Sequence, residues 1–542
     1  MIFEHKYGGN SAVNGNASQT GISFAPDVLR EPTFFVGKLR KNLAFREAIS
    51  ALHDVVISDL KFTPKERPDY QAWLKEQEPI WLAEAMQGAK DVTQQIALKK
   101  QELEYVRTEK NKVMAPFYKA QQAYFKYLYK KDMDMWYVLD PVITVHPDEL
   151  FFECFSIDES SYGKLSCDYE VFKEVNDFSC GTTNIDYSQA LYLEFQKIRN
   201  YKETSFNIEP SGFEIQTTNE ESYKEVKIDL PDSWVRGFLQ VSSAMTMPAT
   251  ELELAPMDMH NLLFYLKRFK EKEGPRSIRF QLTPDKPIQI VIDPWGYVIN
   301  CARSIYKGNK ATEIRIWGRR RLMILERLLP VSKKFVVTLL GTGLPSFFQA
   351  KMEGMTFTLG LSGWTQNDWT KVGQFDLMAP RHVTDSMTQQ KVFLALKECW
   401  KASANELAQK LAMDKVVVLG ALGILVQAGK VIYDLENKVY RLRVLKKDEL
   451  PMDDLRFASP LEEKAFALIQ KGAVKKLKVQ EERGGKSIKA VVEKHNVSLY
   501  IDADDRLVKA NCTCSFFKHN NLRLGPCEHI IATRMAAAKL AT

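Results

Sequence analysis

Three cysteines and a histidine crowd together near the end of this 542-residue chain: Cys512-Thr-Cys514, twelve residues, then Cys527-Glu-His529. Three thiolates and one imidazole are the donors that Zn²⁺ takes in a closed, tetrahedral structural site. The spacing suits that chemistry. Residues i and i+2 of a strand point to one face, so Cys512 and Cys514 can both turn toward a single point. Cys527 and His529 open the Ala-rich run Ile530–Lys539, which reads as a helix and can deliver them from the opposite side. Val497–Ile501 and Arg506–Ala510, joined by the turn Asp502–Asp505, read as a hairpin feeding the first ligand pair. His519, between the pairs, is the one rival ligand; with four donors already present it reads as a surface residue. A disulfide or a chance grouping carries less weight than the combined spacing.

A Cys-x-Cys-x12-Cys-x-His pattern after two strands and before a helix resembles the SWIM-type zinc finger. Cys512, Cys514, Cys527 and His529 carry the resemblance, with Gly525-Pro526 before the third ligand and Ile530-Ile531 after the fourth. It covers roughly residues 487 to 542. The resemblance implies a zinc-stabilised module that binds DNA or other proteins and has no catalysis of its own. It also leaves open an adaptor role, because some bacterial SWIM-family proteins are encoded beside MoxR-type AAA ATPases and proteins with von Willebrand factor A domains.

Composition sets the outer limits. A chain this long exceeds one ordinary core, and about three to five domains are expected. Hydrophobic residues at 45% against 26% charged describe a folded chain rather than a disordered one. The net charge of +7 is mild but uneven, since Leu445 to the end holds 18 Lys/Arg against 13 Asp/Glu. The C-terminal end is thus the basic end, as a nucleic-acid contact requires. No run approaches the ~18 apolar residues of a membrane span. Met1–His5 lacks the basic start and apolar core of a secretory signal. With reduced cysteines and a zinc site, the expected compartment is the cytoplasm. Cys154, Cys167, Cys180, Cys301 and Cys399 are widely spaced and read as simply buried.

The elements that must position the zinc site read as an α+β multidomain chain. Residues 1–30, rich in Gly, Asn, Ser and Thr, read as a flexible arm. Residues 31–133 read as a helical region, amphipathic over 42–60 and again between Tyr70 and Lys131. Its aromatic cluster from Phe117 to Tyr129 reads as a helix core or domain seam rather than a base-stacking surface. Residues 134–380 alternate short strand-like runs with helix-like segments at 187–199, 231–245, 258–272 and 319–329. Within them 258–295 and 319–364 repeat a helix–strand–strand order, as two copies of one unit would. Arg319-Arg320-Arg321 reads equally as a phosphate contact or as a surface cluster.

Residues 386–444 contain an amphipathic helix from Thr388 to Trp400 and a second that opens on the capping box Ser403–Glu406. A third runs from Asp414 to Gly429, followed by a hairpin around Leu435–Asn437. This order resembles a winged helix-turn-helix domain, which implies a third helix in the major groove. The side chains argue against that role. Val417, Gly420, Gly423, Ile424 and Gln427 face outward, and only Lys415 and Gln427 could read a base edge. An apolar, glycine-notched face suits packing on another domain or partner instead.

Residues 445–486 read as a linker, a helix-like stretch (Pro460–Gln470) and a basic segment that leads into the finger at 487–542. Lys475, Lys476, Lys478, Arg483, Lys486 and Lys489 form the densest basic patch and are the candidate phosphate contacts. Catalytic signals are weak. Gly484-Gly485-Lys486-Ser487 lacks the leading glycine of a phosphate loop, because Gln480 stands there. Asp502, Asp504 and Asp505 read as turn residues. The expectation is a non-enzymatic zinc protein with nucleic acid or protein as its target and no membrane partner.

Overall fold

The computed structural model describes residues 12–15, 19–24, 33–58, 141–184, 195–201, 203–208, 232–270, 276–364, 367–370, 372–445, 460–482 and 484–541, with isolated residues at 103–108 and at 192. Two compact units divide the chain, residues 1–60 with 139–542 and residues 61–138. The architecture below belongs to the first. Of the second, Leu103, Tyr105, Val106 and Thr108 are helical, and the aromatic cluster 117–129 lies outside the described residues.

Strands β1 (Ala12–Gly15), β2 (Gln19–Phe24) and β3 (Phe34–Leu39) precede helix α1 (Asn42–Val56). Next come β4 (Val142–Val145), β5 (Glu149–Phe155), β6 (Ser161–Asp168), β7 (Phe172–Ser179), β8 (Gly181–Asn184) and β9 (Glu203–Ile208). Helix α2 (Asp232–Met245), β10 (Thr250–Leu254) and α3 (Pro256–Arg268) lead to β11 (Ile278–Leu282), β12 (Pro287–Ile292), β13 (Tyr297–Ile305) and β14 (Thr312–Ile316). A 3-10 helix at Arg319–Leu328 is followed by β15 (Lys334–Leu339), β16 (Ser346–Lys351) and β17 (Met355–Leu361). Then α4 (Ser386–Cys399), β18 (Lys401–Ala402), α5 (Ala404–Leu411), α6 (Lys415–Gln427), β19 (Val431–Asp434) and β20 (Val439–Leu442) form a small unit. The chain ends with α7 (Pro460–Gln470), β21 (Val474–Glu482), β22 (Gly485–Val492), β23 (His495–Asp502), β24 (Leu507–Cys512), α8 (Ser515–Asn520) and α9 (Glu528–Ala541).

These strands make five sheets, ordered β1-β2-β9-β3-β7, β10-β15-β16-β17-β6-β5-β4-β8, β13-β12-β11-β14, β18-β20-β19 and β21-β22-β23-β24. Among the described strands, every pairing apart from the parallel β2–β9 pair is antiparallel. The eight-stranded sheet is the largest of these five. Its strands β5, β16 and β17 are buried on almost every residue, and α1 packs on β5 and β6. Helix α1 lies so close that a Cβ on Gly163 of β6 would sit 3.1 Å from both Cys154 Sγ and Val55. Phe155 of β5 meets Trp234 and Phe238 of α2 edge-on or tilted, at 5.4 and 4.8 Å. Each such aromatic removed from water is worth about 1.5–3 kcal/mol, so this seam is a main source of cohesion.

Several sequence expectations change here. Residues 12–15 and 19–24 of the expected flexible arm are strands, paired antiparallel with each other, and 19–24 pairs parallel with β9. Helix–strand–strand order recurs at 256–292 and 319–351, but the first pair of strands belongs to the four-stranded β11–β14 sheet and the second to the eight-stranded one. Arg319 and Arg321 are no phosphate contact. Arg319 donates to the carbonyl of Ser277 at 2.9 Å, and Arg321 reaches Asp158 at 2.9 Å; both are buried. Of the five outlying cysteines Cys154, Cys167 and Cys301 are buried, whereas Cys399 is exposed, because the apolar stripe of α4 runs through Val392, Ala395 and Leu396.

Helices α4–α6 and the β18-β20-β19 sheet dock firmly on the rest. Arg443 and Glu153, both almost fully buried, pair at 2.8 Å. Arg441 reaches Asp434, Asp148 and Glu149 at 2.8, 2.9 and 3.2 Å. Burial nevertheless pushes the Glu149 carboxyl up to about 7. Removing one member of so buried a pair costs about 3–5 kcal/mol, since the other charge is left uncompensated. The glycine-notched face of α6 is not free either. A Cβ on Gly420 would sit 2.4 Å from the carbonyl oxygen of His382, and one on Gly423 2.9 Å from that of Pro380. The chain's own segment 380–382 fills the notch.

Substituting Gly420→Ala tests this packing. Helix propensity alone favours alanine by about 1 kcal/mol, but a methyl 2.4 Å from backbone oxygen forces a shift costing roughly 1–3 kcal/mol. The expected outcome is a lowered thermal midpoint in calorimetry; a raised midpoint contradicts the docking.

Candidate metal centre

Cys512 closes β24, the strand whose partner β23 sets it opposite Val497. Cys514 follows after one residue and caps α8, its sulfur accepting from the Phe517 N–H at 3.4 Å. Cys527 stands at the entry to α9, and its carbonyl accepts from Ile530 and Ile531 at 3.0 and 3.1 Å. His529 is on the first turn of the same helix. A strand end and two helix starts therefore converge, and the four donor atoms lie within 4.8 Å of one another, all buried.

The fit to zinc rests on this donor set. Tetrahedral Zn²⁺ with Zn–S bonds of about 2.3 Å holds its ligand atoms roughly 3.7 Å apart, so only slight contraction is needed. Nδ1 of His529 is buried without a hydrogen-bond partner, Glu528 being 3.8 Å away. Hydrogen bonding from Cys527 draws the Cys512 thiol down to about 4, and the same contact drives Cys527 strongly upward. His529 is raised in turn, first by its contact with Cys512. One thiolate surrounded by donors is what a cluster of shared protons looks like; a dication replaces those protons and ionises the remaining thiols. Backbone N–H groups of Cys514, Phe517 and Ile530 are aimed at the three sulfurs and favour their charged form.

The loop between the ligand pairs is fixed by the body of the protein. Arg523 lies over the Trp364 ring at 4.5 Å and over Trp317 at 5.9 Å, and its carbonyl accepts from Asn367 at 2.8 Å. Gly525 has φ +100°, and a Cβ there would meet the Gln374 carbonyl at 2.7 Å, so only glycine fits. Helix α9 is held as well: buried Arg534 donates to the carbonyls of Leu377 at 2.9 Å and Ala379 at 3.1 Å and to Asp505. His519 is exposed, with Nδ1 2.7 Å from the Ser515 carbonyl, and takes no part in the cluster.

The aspartates of the β23–β24 turn are structural. Asp502 accepts from the N–H groups of Asp504 and Arg506, Asp504 pairs with Lys415 at 2.6 Å, and Asp505 serves Arg381 and Arg534. Gly484–Ser487 forms a hairpin turn and the start of β22, not a phosphate loop.

The basic patch divides. Arg483 lies outside the described residues. Lys475, Lys476, Lys478, Lys486 and Lys489 are all exposed. Lys478 stands directly opposite Lys489 across the β21–β22 ladder, whereas Lys486 faces Glu481 and pairs with it at 3.5 Å. Lys476 sits in a bulge with φ 51°. The helix-like stretch Pro460–Gln470 is α7, and what the sequence had as a basic segment includes β21, an integral strand of the finger's sheet. Lys509 of β24, in register with Tyr500, was missed. The alternation Lys509, Asn511 against Ala510, Cys512 was the available signal.

With this geometry in hand, likeness to known proteins can be placed. Residues 495–533 match the SWIM zinc finger family. The matched span runs from β23 into α9 and contains all four ligands of the Cys3His cluster. No curated protein matches the chain. Among solved structures, proliferating cellular nuclear antigen from Entamoeba histolytica aligns over 42% of this chain and 89% of its own at 10% identity, with a TM-score of 0.29. A PCNA2–PCNA3 complex from Sulfolobus tokodaii aligns over 42% and 91% at 9% identity, with a TM-score of 0.30. Likeness at this level carries no functional weight.

Cys527→Ser is expected to abolish stoichiometric zinc in the purified chain, while His519→Ala keeps about one zinc per chain. Elemental analysis after desalting decides. Full zinc retention by the serine variant contradicts the ligand assignment.

Proposed function

We propose that this protein is a non-enzymatic, zinc-stabilised recognition protein whose C-terminal SWIM-type module binds nucleic acid. The observation that carries the reading is the closed Cys3His set joined to a basic sheet: four buried donors satisfy the ion, leaving no open coordination position for substrate. Zinc here holds β24, α8 and α9 in one arrangement; recognition belongs to the surface they support.

Helices α4–α6 with β18–β20 follow the element order of a winged helix, and we assign that unit a structural role. Its third helix, α6, faces Pro380 and His382 of its own chain through Gly423 and Gly420, and Lys415 at its start is paired with Asp504. A helix engaged on that side has few base-reading groups left to offer. An adaptor role beside a MoxR-type ATPase finds no support in the family and structural matches. Among the described residues, no helix is long and apolar enough to cross a membrane.

The test is fluorescence anisotropy of the full zinc-loaded chain with labelled oligonucleotides at 50 and 200 mM salt. Expected is binding that weakens steeply with salt, as counterion release requires, and that is lost when zinc is stripped. An absence of binding at the lower salt overturns the proposal.

A further inference from the structure

The β21–β24 sheet has one face packed and one face open. Ile488, Ala490, Val492, Val497, Leu499 and Cys512 point inward and are buried among the helices and the metal centre. The opposite face is built from rows that the register defines. One row runs Lys478, Lys489, Ser498, Asn511; the next runs Gln480, Ser487, Tyr500, Lys509; a third holds Lys475, Val491 and Asn496. Those three rows contain four lysines and no carboxylate. Acidic groups return only at the edge, where Glu482 and Asp502 flank Gly485, and Asp502 is already engaged by Arg506 at 2.7 Å.

Lys475, Lys478, Lys489 and Lys509 are exposed, and among the described residues none of them makes an ion pair. Lys478 and Lys489 stand opposite each other, an arrangement that like charges make unfavourable within the isolated sheet. A bound anion relieves that repulsion. Resting on the nucleic-acid reading above, we infer that this open face holds the phosphodiester backbone of a nucleic acid. Its lysines neutralise phosphates, and Asn496, Ser498, Asn511 and Tyr500 donate hydrogen bonds to phosphate and sugar oxygens. The face offers a single, half-buried aromatic, Tyr500, so it lacks the stacking platform that sheet-based readers of single-strand bases use. Arginine, the commonest reader of guanine edges, is absent from all three rows as well. Binding is therefore backbone-directed and indifferent to sequence. Acidic peptide, the other polyanion such a face would meet, offers carboxylates without the ribose and bridging oxygens that the neutral side chains match.

The test uses the full zinc-loaded chain and compares wild type with Lys478→Gln/Lys489→Gln, with Lys509→Gln, and with a control pair on α4, Lys391→Gln/Lys397→Gln. Probes are duplex DNA, duplex RNA and single-stranded DNA of two unrelated sequences, with poly-glutamate as the competing polyanion. Expected for the sheet double variant is roughly tenfold weaker binding at low salt to every nucleic acid, with the slope of log affinity against log salt reduced by about one per lysine removed. The same variant should melt at a higher temperature than wild type, since the like-charge pair is gone, and zinc content should be unchanged. The control pair should leave binding and slope as they are. If wild type binds nucleic acid but the sheet variants bind equally well, this face is not the contact surface while the broader function stands. If wild type binds no nucleic acid at low salt, or binds poly-glutamate more tightly, both readings fall.

Discussion

The convergence of Cys512, Cys514, Cys527 and His529 to within 4.8 Å is the constraint on which the C-terminal module, β21–β24 with α8 and α9, depends. Those residues come from a strand end and two helix starts that share no continuous backbone hydrogen-bond ladder. A metal ion is the simplest agent that holds three such pieces, because coordination contributes folding free energy outright in a small module. Helix α9 then transmits that order. His529 on its first turn belongs to the metal centre, and Arg534, five residues on, binds the carbonyls of Leu377 and Ala379 in the body of the protein.

This arrangement separates stability from recognition. The inner face of the β21–β24 sheet, the metal centre and the Arg523 loop are all turned toward the body, where Trp364, Trp317, Met378 and Met247 receive them. The module is a docked part of the molecule rather than a projecting finger. Its outer face carries lysines and neutral hydrogen-bonding side chains that contribute nothing to the core. Lys478 and Lys489 face each other across that surface, and neither has an ion-pair partner among the described residues.

Local chemistry was legible in the sequence where spacing alone determined geometry. The metal donors, the β23–β24 hairpin, the capping box at Ser403 and the order of α4–α6 all follow from short-range rules, and the structure places each of them. Long-range pairing was not legible. Strand β6, Ser161–Asp168, reads as half polar, with Lys164, Ser166 and Asp168 alternating with Leu165 and Cys167, yet Lys164 and Ser166 are buried, Lys164 lying 3.9 Å from Glu149, a partner that no local pattern announces. Strand β21 looked like a charged linker because it lies at a sheet edge, where lysines blunt unwanted pairing. The outward reading of α6 failed because long-range contacts cover that face: residues 380–382 of the same chain fill the notch made by Gly420 and Gly423, Lys415 pairs with Asp504, and Val417, Ile424 and Gln427 are half-buried. Lys509 escaped notice because its neighbours on the open face come from three other strands, joined only by register.

Hydrogen–deuterium exchange of the full chain, zinc-loaded and then stripped by chelator under reducing conditions, tests the central claim most directly. The account predicts that β23, β24 and α9 lose protection together on stripping, while β15–β17 of the eight-stranded sheet keep theirs. Unchanged protection across β23, β24 and α9 after complete zinc removal would contradict it.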